Sequence, residues 1–279
     1  MGASGVNAGR LSRGAIGVAL FLLAALMLAP LGWLIAESLT KESEALRLPP
    51  HWIPDPFTVQ NYRNISGMIP FGRMALNSLI VATIATAGSM FVSVLAAYAF
   101  SRLRFPGRDA IFLLMLSALM IPGQMTVIPV FILLRNLNLI DTLPSLWLPS
   151  LINVFAIFFF RQYFNSIPRE LDEAARIDGA GNIWILFKVI LPLSGPALAA
   201  MTILAFEASW NSYFLPLIFI RSEENMTLPL GLVTLNADQG GSSVTVFAAI
   251  TAIVLPVLVV FLVFQRAFVA SIASLGVRG

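Results

Sequence analysis

The 279-residue sequence contains no cysteine, only one histidine and few charged residues, and each shortage excludes a class of protein. Without cysteine the chain has no disulfide scaffold, thiolate metal site or cysteine nucleophile. Charged residues make up 11% of the chain, against roughly 25% in soluble domains, while 58% of its residues are hydrophobic. The net charge of +3 is not gathered in a basic stretch with aromatics, so nucleic-acid binding is not indicated. This composition predicts a membrane protein.

Six long apolar segments predict an all-α integral membrane protein with six transmembrane helices. Each segment reaches or approaches the ~20 residues that a helix needs to cross the hydrocarbon layer. Among all charged residues only Glu207 lies inside a segment. The first apolar run is longer than that of a signal peptide, so we expect it to be retained. The predicted spans are 14–36, 76–100, 110–134, 143–160, 193–220 and 244–265.

The basic residues between the spans predict the orientation of the chain. Eleven of the 17 lysines and arginines fall on the side of the amino terminus, and six fall on the other side. Four of those six lie in the single long loop 37–75. Because basic residues are retained on the cytoplasmic side, both termini are predicted to be cytoplasmic. Residues 1–13 are then a cytoplasmic tail, and 14–279 form the transmembrane domain.

The inner loop 161–192 carries eight charges, four of each sign, and shows the signals of a short helix. Ser166 is a plausible N-cap, Pro168 suits a first turn, and three acidic residues follow near the positive end of the helix dipole. Gly179 and Gly181 are expected to end this helix. One face is narrow and small, which argues against a helix lying on the membrane, where bulky apolar residues are usual. That face consists of Leu171, Ala174, Ala175 and Asp178.

This loop resembles the EAA loop of bacterial ATP-binding-cassette (ABC) importer permeases. The resemblance is carried by Glu173-Ala174-Ala175, by Gly179 and by Ile190-Leu191-Pro192. Other stretches extend it over nearly the whole chain and point to the carbohydrate-uptake branch, which includes the smaller maltose-permease subunit. One departure is Ser212, where many relatives carry an acidic residue. The supporting stretches include Asn77-Ser78-Leu79, 97–107, Met120-Ile121-Pro122, 177–180 and Trp210-Asn211.

The resemblance implies a type I ABC importer permease fold in the bacterial inner membrane, with a cytoplasmic coupling helix. It implies a second permease subunit as heterodimer partner, a cytoplasmic ATPase dimer, an extracytoplasmic solute-binding protein and surrounding lipid. The chain binds no cofactor in this interpretation, and ATP with Mg belongs to the ATPase. Neither of its two lysines lies in a phosphate-binding loop, which agrees with that assignment. The implied coupling residues are Glu173, Ala174, Ala175, Asp178, Gly179 and Pro192.

Polar residues inside the predicted spans are the candidates for the solute path. Glu207 is at the middle of its span, and an ionisable residue at that depth usually faces protein or water. The alternative is that Glu207 pairs with a neighbouring subunit or caps a break in its helix. In the maltose permease the larger of the two subunits holds the substrate. By that resemblance, these residues could line the solute path without binding the solute. The candidates are Glu207, Trp210, Asn211, Tyr213, Gln124 and Asn153.

The expected function is import of a sugar or oligosaccharide, driven by ATP hydrolysis on another subunit. A polyol or glycerol-phosphate-type solute remains an alternative within the same class. An ion-coupled secondary carrier is an alternative from another class, although the chain lacks a series of intramembrane acids or an inverted repeat to support it. A membrane-embedded enzyme is not favoured, because the sequence has no pairing of nucleophile and base.

Overall fold

The protein is described by a computed structural model that covers residues 4–47, 52–238 and 242–276. These residues are helical apart from their connections and one isolated bridge between Thr40 and Phe57. The chain divides into two compact units, Met1–Ile69 with Thr234–Ala252 and Pro70–Val233 with Ile253–Gly279. The α-helices are α1 Ser4–Ser38, α2 Gln60–Met68, α3 Phe71–Arg102, α4 Arg108–Ser117, α5 Gly123–Asn136, α6 Pro144–Trp147, α7 Val154–Ser166, α8 Glu170–Ile177, α9 Asn182–Ile185, α10 Leu191–Leu193, α11 Gly195–Trp210, α12 Phe214–Phe219, α13 Leu228–Asp238 and α14 Ser243–Gly276.

The prediction of an all-α chain with six spans is confirmed. Within the described residues, four helical segments are long and apolar enough to cross a membrane, and the number reaches six when each of two bent helix pairs is counted as one span. The first and last spans lie inside α1 and α14, and the second lies inside α3. Helix α1 already begins at Ser4, within the predicted tail, whose residues 1–3 lie outside the described part of the chain.

The third predicted span is not one straight helix. Helices α4 and α5 meet at an angle of 102°, with a short 3-10 turn at Ala118–Met120 between them. Ile121 is extended, and Pro122 follows it at the start of α5. Proline forces the preceding residue out of the helical region and lacks an N–H for the helical ladder, so the helix bends there.

The fifth predicted span, 193–220, is corrected at both of its ends. At its start, α11 is bent by 83° from the helical segment Asn182–Leu193. At its end, α11 stops at Trp210, and α12 begins only at Phe214. Asn211 and Ser212 occupy the break, and such side chains compete with the helical backbone for hydrogen bonds. The amide of Ser212 instead donates to the carbonyl of Ser209 at 3.2 Å, which tightens the last turn.

In the second unit, α3 packs against both α7 and α11. The face of α3 toward these helices is made of small residues such as Ser93 and Ala97, which let helix backbones approach closely. Phe160 and Phe164 of α7 are fully buried in this cluster, as is Ile190 of the segment that follows α8. This packing fixes the ends of α3 and α7, and the short helix α8 is built on those ends.

In the first unit, the segment after α1 folds back on the end of that helix. The Asn61 amide donates to the carbonyls of Ser38 and Thr40 at 2.9 and 2.8 Å. The hydroxyls of Ser38 and Tyr62 lie 2.9 Å apart and share a hydrogen bond. Helix α2 therefore covers the carboxyl end of α1, where carbonyls have no partner within the helix.

Candidate functional site

Helix α8 is the predicted coupling helix, and it has one buried and one exposed face. Asp172 and Ala175 are buried against the other helices of the second unit, and Ala175 belongs to the core cluster around Phe160 and Phe164. The opposite face exposes Glu173, Ala174 and Ile177, the last with 87% of its surface exposed. The small face predicted from the sequence is thus divided, because Ala175 points inward whereas Leu171, Ala174 and Asp178 remain outside.

The start of α8 differs from the prediction. Ser166 does not cap it, because this residue is the last of α7 and its hydroxyl donates to the carbonyl of Tyr163 at 2.7 Å. Helix α8 begins at Glu170, and its preceding residue, Arg169, offers no side-chain cap. Arg169 instead donates to the carbonyl of Ser101, the penultimate residue of α3, at 3.2 Å.

Gly179 ends α8 in the predicted manner. Its φ is +84°, a left-handed conformation that residues with a Cβ adopt at a cost of roughly 1–2 kcal/mol. The amides of Gly179 and Ala180 donate to the carbonyls of Arg176 and Ala175 at 3.0 and 2.9 Å, the pattern of a Schellman motif. No atom lies within 4 Å of a Cβ placed on Gly179. A larger residue is therefore opposed by the backbone conformation and not by lack of space.

A buried ion pair joins α8 to α3. Arg102 Nε lies 3.3 Å from Asp172 Oδ2, and the two side chains are only 2% and 7% exposed. Arg102 Nη2 also donates to the carbonyls of Phe164 and Ile167 at 2.7 and 2.8 Å. These carbonyls are at the end of α7, where they lack helical partners. One guanidinium thus holds three helix ends together, a role that the sequence did not reveal.

An open cleft of about 660 Å³ borders this ion pair. Four arginines line it, together with Asp172, Glu173 and Asn182. The cleft is consequently rich in positive charge next to the exposed face of α8. The four arginines are Arg102, Arg104, Arg169 and Arg176.

Two of the predicted solute-path residues form a pair at the end of α11. Asn211 Nδ2 donates to Glu207 Oε1 at 2.8 Å, and both side chains are exposed. Trp210 points the other way and is only 2% exposed. Its indole stacks on Phe206 with 5.8 Å between ring centroids and donates to the carbonyl of Ile253 at 2.9 Å. Trp210 therefore anchors α11 in the second unit, while Glu207 and Asn211 face outward.

The other predicted residues lie elsewhere in the second unit. Tyr213 is in the break after α11 and packs against a core cluster. Gln124 is exposed in the first turn of α5 and lines a groove of about 380 Å³. Asn153 caps α7, since its Oδ1 accepts the amide of Ala156 at 2.9 Å, and it lines a separate cavity. Pro192, among the coupling residues, is exposed at the second position of α10. The structure does not bring all these residues to one site.

A second network, missed in the sequence, centres on Asp141 between α5 and α6. Asp141 Oδ1 accepts the amides of Arg221 and Ser222 and the Ser222 hydroxyl, each at 2.9 Å. The Asn225 amide donates to the Asp141 carbonyl at 2.7 Å. Burial raises the pKa of this carboxyl, but hydrogen bonds from these residues outweigh burial and leave its pKa below the ordinary value. The carboxylate thereby fixes the turn that follows α12.

Comparisons with known proteins agree with this geometry. The profile of a family described as "Binding-protein-dependent transport system inner membrane component" matches residues 89–274. The chain is 40% identical over 203 residues to the arabinooligosaccharides transport system permease protein of Halalkalibacterium halodurans, covering 73% of each chain. It is 35% identical over 257 residues to the sn-glycerol-3-phosphate transport system permease protein of Yersinia pestis, covering 89% of this chain and 92% of the relative.

A solved structure is also similar over nearly the whole length. It is a chain in the crystal structure of a bacterial ABC transporter involved in the import of the acidic polysaccharide alginate. The TM-score is 0.81 at 27% sequence identity, and the match covers 94% of this chain and 98% of that one. The permease fold expected from the sequence is confirmed by this similarity.

We expect Asp172→Asn to lower the thermal stability of the purified protein strongly, because it leaves the buried Arg102 charge unpaired. Breaking a buried pair costs about 3–5 kcal/mol. The matched control is Glu170→Gln, which neutralises an exposed carboxylate on the same helix. Replacing both partners, as Arg102→Met with Asp172→Leu, should restore only part of the loss, because the carbonyls of Phe164 and Ile167 then lack their donor. Equal melting temperatures for Asp172→Asn and the control would contradict the role of this pair.

The Asp141 network predicts a pH dependence of stability. The pKa of Asp141 is lower in the folded than in the unfolded state. The stability that this carboxylate contributes is therefore fully present above the unfolded pKa of about 3.9 and is lost as the pH falls through the folded-state pKa. Asp141→Asn should therefore melt below the wild type at pH 7, and the difference should shrink below about pH 4. Thermal scans from pH 7 to pH 3 measure this, with Asp55→Asn as an exposed control. A constant difference over that range would refute the assignment.

Proposed function

Because the chain belongs to the family of binding-protein-dependent transport-system inner-membrane components, we propose that it is the permease subunit of an ABC importer for sugars or oligosaccharides. The observation that carries the proposal is helix α8. It presents an exposed face to a partner, and the buried pair of Arg102 and Asp172 ties it to the long span α3. A helix so placed can receive a displacement from outside and pass it to the spans.

The coupling step follows from these attachments. A cytoplasmic ATPase dimer engages Glu173, Ala174 and Ile177 on the exposed face of α8, with Gly179 setting the direction in which the chain leaves. Because Arg102 also holds the end of α7, movement of α8 shifts α3 and α7 together. The solute path then opens alternately to either side of the membrane. ATP and Mg are bound by the ATPase, and this chain performs no chemistry on them.

The assembly and orientation complete the proposal. A second permease subunit forms a heterodimer with this chain, and an extracytoplasmic solute-binding protein delivers the solute. The chain crosses the inner membrane several times with both termini in the cytoplasm, which places α8 beside the ATPase. The excess of basic residues on that side supports this orientation.

The solute class is supported by relatives and by charge. One relative is named for arabinooligosaccharides and another for sn-glycerol 3-phosphate, so both a sugar and a glycerol phosphate come into consideration. The one charged residue inside the predicted spans is Glu207, which is negative. A carboxylate at that depth repels a phosphate and can accept hydrogen bonds from sugar hydroxyls. A neutral sugar is therefore the favoured solute, and a polyol or glycerol phosphate is the second candidate.

The function is tested by reconstituting the chain with its partner subunits and measuring uptake and ATP hydrolysis together. Wild-type uptake should require ATP and persist without an ion gradient. Gly179→Val should keep ATP hydrolysis but lower uptake at least tenfold, since a β-branched residue at φ +84° is strongly disfavoured. Gly179→Asn should lose less uptake, because asparagine adopts the left-handed conformation more readily than valine.

The control for that series is Gly181→Val, because Gly181 has an ordinary extended conformation and equal free space. It should transport like the wild type. Uptake by the wild type that follows an ion gradient and ignores ATP would overturn the proposed function. Unchanged uptake in an assembled Gly179→Val complex would overturn the coupling assignment.

Glu207→Gln tests the solute path. If the carboxylate accepts hydrogen bonds from the solute, the uncharged variant should raise the apparent KM for uptake by roughly tenfold, in line with a lost charged hydrogen bond. Glu223→Gln, an exposed carboxylate outside the spans, is the control. Reduced assembly with the second permease subunit would instead assign Glu207 to the subunit interface. Unchanged KM, rate and assembly would remove it from the path.

A further inference from the structure

A cavity of about 170 Å³ lies inside the second unit, where three interrupted helices come together. Asn153 precedes α7, Ser212 follows α11 and Thr227 precedes α13, and all three line the cavity. The unbroken helix α3 also lines the cavity, with Ala85 and Ser89. Discontinuous helices that meet inside a membrane protein expose main-chain and side-chain polar groups, and transporters use such places to bind solutes.

Two hydroxyls at this cavity have no hydrogen-bond partner in the described chain. They are Ser89 Oγ and Thr227 Oγ1, in residues that are 3% and 4% exposed. A buried hydroxyl without a partner is costly, so native proteins nearly always provide one. The two residues come from different segments of the chain and both line the same cavity, so a polar molecule held there is the candidate partner of both hydroxyls.

Further polar groups surround the same space. Asn153 uses its Oδ1 to cap α7, and its side-chain NH2 is a separate donor at the cavity. Ser209 and Ser212 add two more hydroxyls from the end of α11. A ligand in the cavity therefore meets several hydroxyl or amide groups from different directions. This arrangement suits a molecule that carries hydroxyls on more than one side.

The remaining walls are apolar and uncharged. Val81, Leu146 and Leu215 supply aliphatic surface, and no charged residue is among the described residues that line the cavity. An anion such as a phosphate ester would lose its hydration there without gaining a countercharge. A sugar ring presents C–H faces between its hydroxyls and so matches both kinds of wall. The volume is close to that of an engineered cavity of about 150 Å³ that accepts benzene, which is one six-membered ring.

We propose that this cavity binds one ring of a neutral, polyhydroxylated solute, with Ser89, Thr227 and Asn153 as its hydrogen-bonding groups. The proposal rests on the proposed function and adds to it a binding site inside this subunit. It is separate from the pair of Glu207 and Asn211, neither of which lines the cavity. The ring held in the cavity contacts only uncharged groups, which come from α3 and from the breaks before α7 and α13.

Removal of the two hydroxyls tests the proposal in the complete reconstituted complex. Ser89→Ala combined with Thr227→Val keeps the size of the site and removes both donors. Uptake should fall about fivefold for each lost hydrogen bond, and thus roughly 25-fold together, while ATP hydrolysis stays unchanged. The control is Thr86→Val, because Thr86 Oγ1 is also buried and unpartnered on α3 but does not line the cavity. The probes are arabinotriose, diacetylchitobiose and sn-glycerol 3-phosphate.

Site-directed labelling gives a second readout that does not depend on transport rates. The chain has no cysteine, so Ser212→Cys introduces its only thiol. A saturating neutral sugar should slow methanethiosulfonate labelling of this thiol at least fivefold. The same sugar should leave labelling of Ser166→Cys unchanged, because Ser166 is exposed and does not line the cavity.

The outcomes separate this proposal from the proposed function. If the wild-type complex takes up neither neutral probe with ATP, the sugar-importer assignment fails. If wild-type uptake is normal but the double variant and Thr86→Val behave alike, the cavity is not the site. Absence of protection at Ser212→Cys in a complex that transports the sugar also overturns the cavity proposal. Loss of uptake only in the double variant, together with protection, supports it.

Discussion

A helix in an apolar phase must satisfy the hydrogen bonds of its main chain, and this chain interrupts its helices repeatedly. The groups freed at these breaks determine where the polar side chains are used. Arg102 serves the last carbonyls of α7, and Asn77 donates to the carbonyls of Glu224 and Met226 at 2.9 Å. The Ser78 hydroxyl accepts the amide of Leu228 at 2.8 Å. These polar side chains therefore maintain the fold.

Polar groups that stabilise the fold are not available to bind a solute. Trp210, although it stands beside Asn211 in the sequence, uses its indole to hold α11 and is not accessible. Among the described residues, polar groups that the fold leaves without a partner beside a cavity are the better candidates for a solute. Ser89 and Thr227 lack partners, and the pair of Glu207 and Asn211 is exposed and satisfied only by itself.

The two ends of α8 are held in different ways. Its first turn is fixed by Asp172 and by the bond from Arg169 to α3. Its last turn is closed by Gly179, around which there is open space. The direction in which the chain leaves α8 therefore depends on the backbone conformation of Gly179. A buried ion pair adds little net stability compared with apolar packing. Its value here is that it sets the position of α8 relative to α3 and α7.

The sequence alone determined the six apolar segments, the short helix in the inner loop and its end at Gly179. These features depend on hydrophobic length and on the freedom of glycine at positive φ, which are local properties. Only the tertiary structure decided that Arg102 meets Asp172 and that Ser89 and Thr227 line one cavity. Each of these depends on which helices pack together, and residues far apart in the chain carry no local signal of that pairing.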